Sequence, residues 1–145
     1  MSYGMLAAGF IAWFIAGLLK VPIHYFIKHQ VDWGLIFSTG GMPSSHSALV
    51  TGTTLAIGLF TGFDTPAFAI AFALSMVVAY DAAGVRRQAG MHAQRINMIL
   101  NEFFLGHPIS EQQLQEVLGH SPFEVAMGVV VGLIVALVTW MLWPK

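Results

Sequence analysis

The run His120–Pro144, HSPFEVAMGVVVGLIVALVTWMLWP, decides what kind of protein this is. From Val125 to Trp143 it carries no charge, close to the ~20 apolar residues an α-helix needs to cross ~30 Å of hydrocarbon. Trp140 and Trp143 near its end suit a membrane–water boundary. Its beginning has helix-start chemistry, with Ser121 as cap, Pro122 at the first helical position and Glu124 in the first turn. Gly128 and Gly132 make a G-x-x-x-G pair, a spacing that serves close helix packing or dimerisation in lipid.

The composition agrees. Of 145 residues, 57% are hydrophobic and 9% charged, with six Lys plus Arg and seven Asp plus Glu. Soluble chains carry about a quarter charged residues, so these charges cannot cover a 15.7 kDa globule in water. The formal net charge of -1 leaves no basic stripe, which argues against a nucleic-acid partner. The absence of cysteine excludes disulfides, thiolate metal ligands and Cys nucleophiles.

The expected fold is an all-α integral membrane bundle of four transmembrane helices in a single domain, 1–145. Met1 to Leu19 is uncharged and lacks the basic start of a signal peptide. It gives a first span at about 4–21, bent at Pro22. Residues 37–45 have loop composition, which places the second span at 46–62 and the third at 66–84. The fourth is 122–143. Between the last two, Val85, Ala89, Ala93, Ile96, Leu100 and Phe103 recur at steps of three and four. That pattern predicts an amphipathic helix over 85–104 lying at the membrane surface. Gly106-His107-Pro108 breaks it, and Ser110 with Gln113 opens a short helix over 111–118.

Four spans bring three distant segments to one membrane face. Gly40-Gly41-Met42-Pro43-Ser44-Ser45-His46-Ser47 runs from a glycine loop into a helix start, where free N–H groups suit a phosphate. A capped helix with a surface histidine explains the same letters. Tyr80-Asp81-Ala82-Ala83-Gly84-Val85-Arg86-Arg87 closes the third span; its arginines offer planar forks for a phosphoryl group, or simply anchor the helix with Asp81 as their partner. In Gly119-His120-Ser121-Pro122-Phe123-Glu124, His120 and Glu124 are four apart and can touch on a helical turn. A carboxylate on one ring nitrogen frees the other for attack or proton abstraction. His24, His29 and His107 read as interfacial side chains.

Taken together, these blocks resemble the type 2 phosphatidic acid phosphatase superfamily, which includes vanadium haloperoxidases, and within it the small divergent branch. The resemblance implies phosphoryl transfer through a phosphohistidine, with no metal and no cofactor. It makes His120 the nucleophile, Glu124 its orienting carboxylate and His46 the acid for the leaving oxygen. Lys20, Ser44, Ser45, Arg86, Arg87 and loop N–H groups would hold the phosphate, supported by Asp81. The chain departs from the family pattern at Ser45, where the family has glycine, and at Glu124, where it has aspartate. No Arg-Pro pair follows Lys20; Lys28 stands near that place. The family spacing from Arg86 points literally to His92, but His120 opens a span and has Glu124 four residues on, whereas His92 has Ile96 there.

Lys20, Lys28, Arg86, Arg87 and Arg95 fall on the site side, so the positive-inside rule puts the site in the cytoplasm and the protein in the cell membrane as a multi-pass protein. Of all the charged residues, only Asp64 and Lys145 fall opposite. The expected substrate is a phospholipid phosphomonoester, phosphatidylglycerophosphate ahead of phosphatidic acid and the isoprenoid undecaprenyl diphosphate. Two other classes fit the letters: a metal-dependent hydrolase using His46, Asp81, His120 and Glu124, and a non-catalytic lipid-phosphate-binding protein. Gly128 and Gly132 also allow a homodimer.

Overall fold

Three hydroxyl side chains start three helices in the same way. The Ser44 Oγ accepts from the Ser47 N–H at 3.4 Å, the Thr65 Oγ1 from Phe68 at 3.3 Å, and the Ser121 Oγ from Glu124 at 3.3 Å. Each satisfies a donor that the first helical turn would leave orphaned. The helices they open are α2 (Ser45–Thr61), α3 (Pro66–Ala83) and α5 (Pro122–Leu142); α1 covers Ser2–Lys28 and α4 Val85–Phe103. A 3₁₀ turn, Trp33–Phe37, lies between α1 and α2. The computed structural model describes residues 2–38, 40–103 and 120–144, with backbone alone at 2, 86, 87 and 101–103. No strand occurs among the described residues. The expected helix over 111–118 lies outside them.

Helix α1 overruns its expected end. Pro22 sits inside it, and the helix continues to Lys28 instead of stopping near residue 21. Proline deletes a single donor, which one strained turn can tolerate when the residues around it favour helix. The chain leaves α1 at His29, whose φ is 54°, with its N–H donating to the Tyr25 carbonyl at 2.8 Å. That is a left-handed helix cap.

Helix α2 is the centre of the bundle, packed by α1, α3 and α5. Its buried residues are small: Ser45, Ser47, Ala48, Gly52, Thr54, Ala56 and Gly58. Ala8, Ala12 and Ala16 of α1 and Ala136 of α5 are fully enclosed around it. A Cβ on Gly52 would lie 3.1 Å from the Ala12 Cβ, and one on Gly132 would lie 2.7 Å from the Ala48 carbonyl oxygen. The backbones therefore meet almost directly. In lipid, apolar side chains gain little by turning inward, and helices associate through close van der Waals contact between small residues. The G-x-x-x-G pair of α5 is spent on α2 within the chain, so it is not a free face for a second copy. The largest fully enclosed side chains are Lys20, Pro43, Ser44 and Ser47, and none of them is a large hydrophobe. Among the described residues, polar side chains are thus enclosed as completely as the alanines of the helix contacts.

Among the described residues, three helical stretches are long and apolar enough to cross a membrane: Tyr3–Lys28, Pro66–Leu100 and Pro122–Leu142. Helix α2, with 17 residues, is shorter, about 26 Å at 1.5 Å per residue. Helix α3 is tied to α2 by Thr54, whose Oγ1 lies 2.7 Å from the Ser75 Oγ and donates to the Ala71 carbonyl at 3.1 Å. The step from α3 to α4 is slight. Gly84 donates to Tyr80 at 2.8 Å and accepts from Gln88 at 3.0 Å, so helical hydrogen bonding carries through it. Among the described elements α4 meets only α3, and Val85, Ile96 and Leu100 of its apolar stripe are exposed.

Candidate active site

The cap that starts α5 also builds a catalytic-type pair. Ser121 and Pro122 set the first turn, which places Glu124 one turn above His120. The His120 Nδ1 lies 2.9 Å from the Glu124 Oε2. A carboxylate can only accept, so in the neutral ring the proton sits on Nδ1 and Nε2 carries the lone pair. His120 is 4% exposed, and among the described residues its Nε2 is buried without a hydrogen-bond partner. A buried polar atom left unpaired costs about 1–3 kcal/mol unless a ligand or water meets it. The atom so placed is the one a nucleophile needs.

The serine loop is fastened to this turn through the backbone. The Ser44 N–H donates to the Glu124 carbonyl at 3.1 Å. A Cβ on Gly128, one turn further along α5, would run into the Ser44 carbonyl oxygen. The hydroxyl oxygen of Ser44, an expected phosphate ligand, accepts from the Ser47 N–H and, at 3.0 Å, from the Ser47 hydroxyl, roles that do not use the donor of its own O–H. Ser45 is buried as the first residue of α2, and His46 follows it half-buried.

Lys20 completes the cluster from α1. It is 1% exposed, and its Nζ donates to the Ser38 carbonyl at 2.7 Å. An ammonium has three donors, so the carbonyl uses one of them. Gly41, at φ 83°, lets the loop turn close to the lysine; a Cβ there would lie 3.8 Å from the Lys20 Cδ. Lys20 and Glu124 line one cleft of about 170 Å³, together with His24, Lys28, Gly41 and Met42. His24, expected at the interface, is among the side chains that line this cleft. The signal that points to it is spacing, since 20, 24 and 28 fall on one helical stripe.

Other expected residues are carried by α3 and α4. Asp81 is half-buried near the end of α3, while Arg86 and Arg87 begin α4, whose backbone stays with α3. The side chains of both arginines lie outside the described residues. His92 is exposed on α4. Among the described residues no three His, Asp or Glu side chains gather as a metal would require; His46, Asp81, His120 and Glu124 do not form the ligand set that the metal-dependent alternative needs.

A histidine–carboxylate pair, a buried lysine and a serine loop gathered at one end of apolar helices define the class: a helical membrane protein with a polar cluster at one end. The chain belongs to the Divergent PAP2 family, which matches residues 1–135. It is 38% identical over 134 aligned residues, covering 85% of each chain, to a Bacillus subtilis (strain 168) protein described as "Uncharacterized membrane protein YuiD". No solved structure matches it.

Proposed function

We propose that the protein is a metal-independent lipid phosphatase that hydrolyses a phospholipid phosphomonoester through a phosphohistidine. The observation that carries this reading is the buried, unpartnered Nε2 of His120, with Nδ1 held by Glu124. The Nε2 lone pair attacks phosphorus, the bond to the lipid oxygen breaks, and His46 protonates that oxygen. Water, giving its proton back to His46, then attacks phosphorus, and the N–P bond breaks to restore the Nε2 lone pair. Two displacements replace one difficult step. Lys20, Ser45, Arg86, Arg87 and loop N–H groups stabilise the phosphoryl oxygens, since phosphoryl transfer depends mainly on positioning and charge. Asp81 supports the arginines.

On this reading α2 crosses the bilayer as the short central helix of four spans, and the amphipathic α4 lies along the surface. The basic residues put the site in the cytoplasm, which favours a lipid phosphate exposed on that leaflet. Phosphatidylglycerophosphate is the first choice, ahead of phosphatidic acid and undecaprenyl diphosphate. A homodimer would use a face other than Gly128 and Gly132.

The test is phosphate release by purified protein from these three lipids, with and without EDTA, combined with trapping of radiolabelled phosphohistidine. Release that survives EDTA, with acid-labile label lost in His120→Ala, is the expected result. Release abolished by EDTA overturns the mechanism. The second reading, a lipid-phosphate-binding protein without turnover, draws on Ser45 and Glu124 at positions where the family has glycine and aspartate; binding with neither release nor label would establish it.

A further inference from the structure

Helix α1 supplies a depth scale. At its start, a Cβ on Gly4 would lie 3.1 Å from both the Phe60 and the Trp143 rings, so α1, α2 and α5 terminate together at the end opposite His120. Trp143 there, with the exposed Asp64 just beyond α2, marks that level as a membrane boundary. At 1.5 Å per residue, about 30 Å of hydrocarbon counted from Gly4 ends near residue 24. Helix α1 runs on to Lys28.

The 3₁₀ turn Trp33–Phe37 comes back below the second boundary. A Cβ on Gly17 would lie 2.9 Å from the Ile36 carbonyl oxygen, and the Phe37 ring lies 6.2 Å from the Trp13 ring. Ile36 is therefore level with Gly17, about 16 Å back along α1 from Lys28 and about 10 Å inside the boundary at residue 24. At that depth the side chains that face outward are apolar: Trp33 is 69% exposed and Phe37 75%. Between Asp32 and Asp64 the chain has no Asp, Glu, Lys or Arg.

We propose that Trp33–Ser38 is a re-entrant loop that dips into the bilayer from the side of His120, with Trp33 and Phe37 seated against lipid acyl chains. Irregular backbone at membrane depth needs its polar groups met within the protein. Here the Gly34 N–H donates to the Asp32 Oδ1 at 2.8 Å, the Leu35 N–H to the Asp32 carbonyl at 3.4 Å and the Ser38 N–H to the Leu35 carbonyl at 3.2 Å. Lys20, about 6 Å inside the same boundary, donates to the Ser38 carbonyl. Ionisable side chains within a membrane turn to the protein interior and pair with carbonyls in this way. One short segment thus ties up its own backbone, receives the enclosed lysine and keeps its two rings on the outside. Its depth is a property of the fold and does not rest on the phosphatase reading.

The chain has no cysteine, so single spin labels can be placed in the full protein in phosphatidylcholine nanodiscs. Phe37→Cys is the test, Gln30→Cys beyond the end of α1 the aqueous control, and Val77→Cys on the exposed face of α3 the lipid control. The label at 37 should collide with oxygen as often as the label at 77, and should lose the collisions with a water-soluble nickel chelate that the label at 30 shows. Frequent nickel collisions at 37 would put the loop in water and overturn the proposal. Few collisions with either reagent would mean that protein rather than lipid covers the site, which also overturns it. A second measurement leaves Phe37 in place. The fluorescence of Trp33, taken as the difference between wild type and Trp33→Phe, should be quenched by phosphatidylcholine brominated on its acyl chains and spared by aqueous acrylamide. The reverse pattern would overturn the re-entrant loop, whether or not the protein releases phosphate.

Discussion

The backbone N–H of Ser44 donates to the backbone carbonyl of Glu124 at 3.1 Å, joining positions eighty residues apart at the point where the site is assembled. The same glutamate uses its side chain to orient His120. One residue therefore fixes both the serine loop and the imidazole of His120. Because the first bond is made by the main chain, the two functions can be separated by substitution.

Glu124→Gln should keep the Ser44 bond and the fold but lose the charge that holds the Nδ1 proton. Phosphate release should fall by about 10²–10⁴-fold, the range seen when the partner of a catalytic imidazole is neutralised or a general base is lost. Thermal unfolding in detergent should change little. Glu124→Asp, one methylene shorter, should fall between the two in activity.

Gly128→Ala puts a methyl group against the Ser44 carbonyl oxygen. Overpacking of this kind costs about 1–3 kcal/mol, and here the strain falls on the loop that carries Ser45 and His46. Both melting temperature and phosphate release should drop. Val130→Ala, on an exposed position of α5, should alter neither by a comparable amount.

Lys20→Met keeps most of the length of a buried side chain while removing its charge and its bond to Ser38. Inhibition by orthovanadate, which mimics the trigonal phosphoryl group, should weaken together with turnover. A Lys20→Met protein with unchanged vanadate affinity would place the lysine outside the phosphate site and leave it a loop fastener.

Ser121→Ala removes the cap of α5. Loss of an N-cap costs about 1 kcal/mol, and the frayed turn is the one that aligns His120 with Glu124. Activity should decline more steeply than melting temperature. Ser121→Asp, which can also cap, should restore most of both.

Thr54→Val deletes the hydrogen bonds to Ser75 and the Ala71 carbonyl that tie α3 to α2. Side-chain hydrogen bonds between helices in membranes average about 0.6 kcal/mol. A small loss of stability with normal phosphate release is expected, because Thr54 lies well along α2 from the site.

What could be read directly from the letters was whatever depends on neighbours within a turn. The capped start at Ser121-Pro122 and the His120–Glu124 pairing are set by residues three and four apart, and the apolar length of α5 needs no partner to be recognised. Local rules also misjudged one boundary, since Pro22 is a breaker in isolation and a tolerated interior residue in a long α1. Other features waited for the tertiary structure. Gly128 and Gly132 could have faced a second copy; the close approach of α2 decides that they face Ser44 and Ala48. That the Ser44 oxygen also accepts from the Ser47 hydroxyl, besides capping α2, is visible only in the folded loop. Lys20 looked like the end of a span. It is enclosed instead, with the Ser38 carbonyl and Gly41 close against it, and its stripe with His24 and Lys28 becomes one wall of a cleft. Caps and periodicity are short-range and survive in any context, whereas which small residues let two backbones touch is a property of the assembled helices.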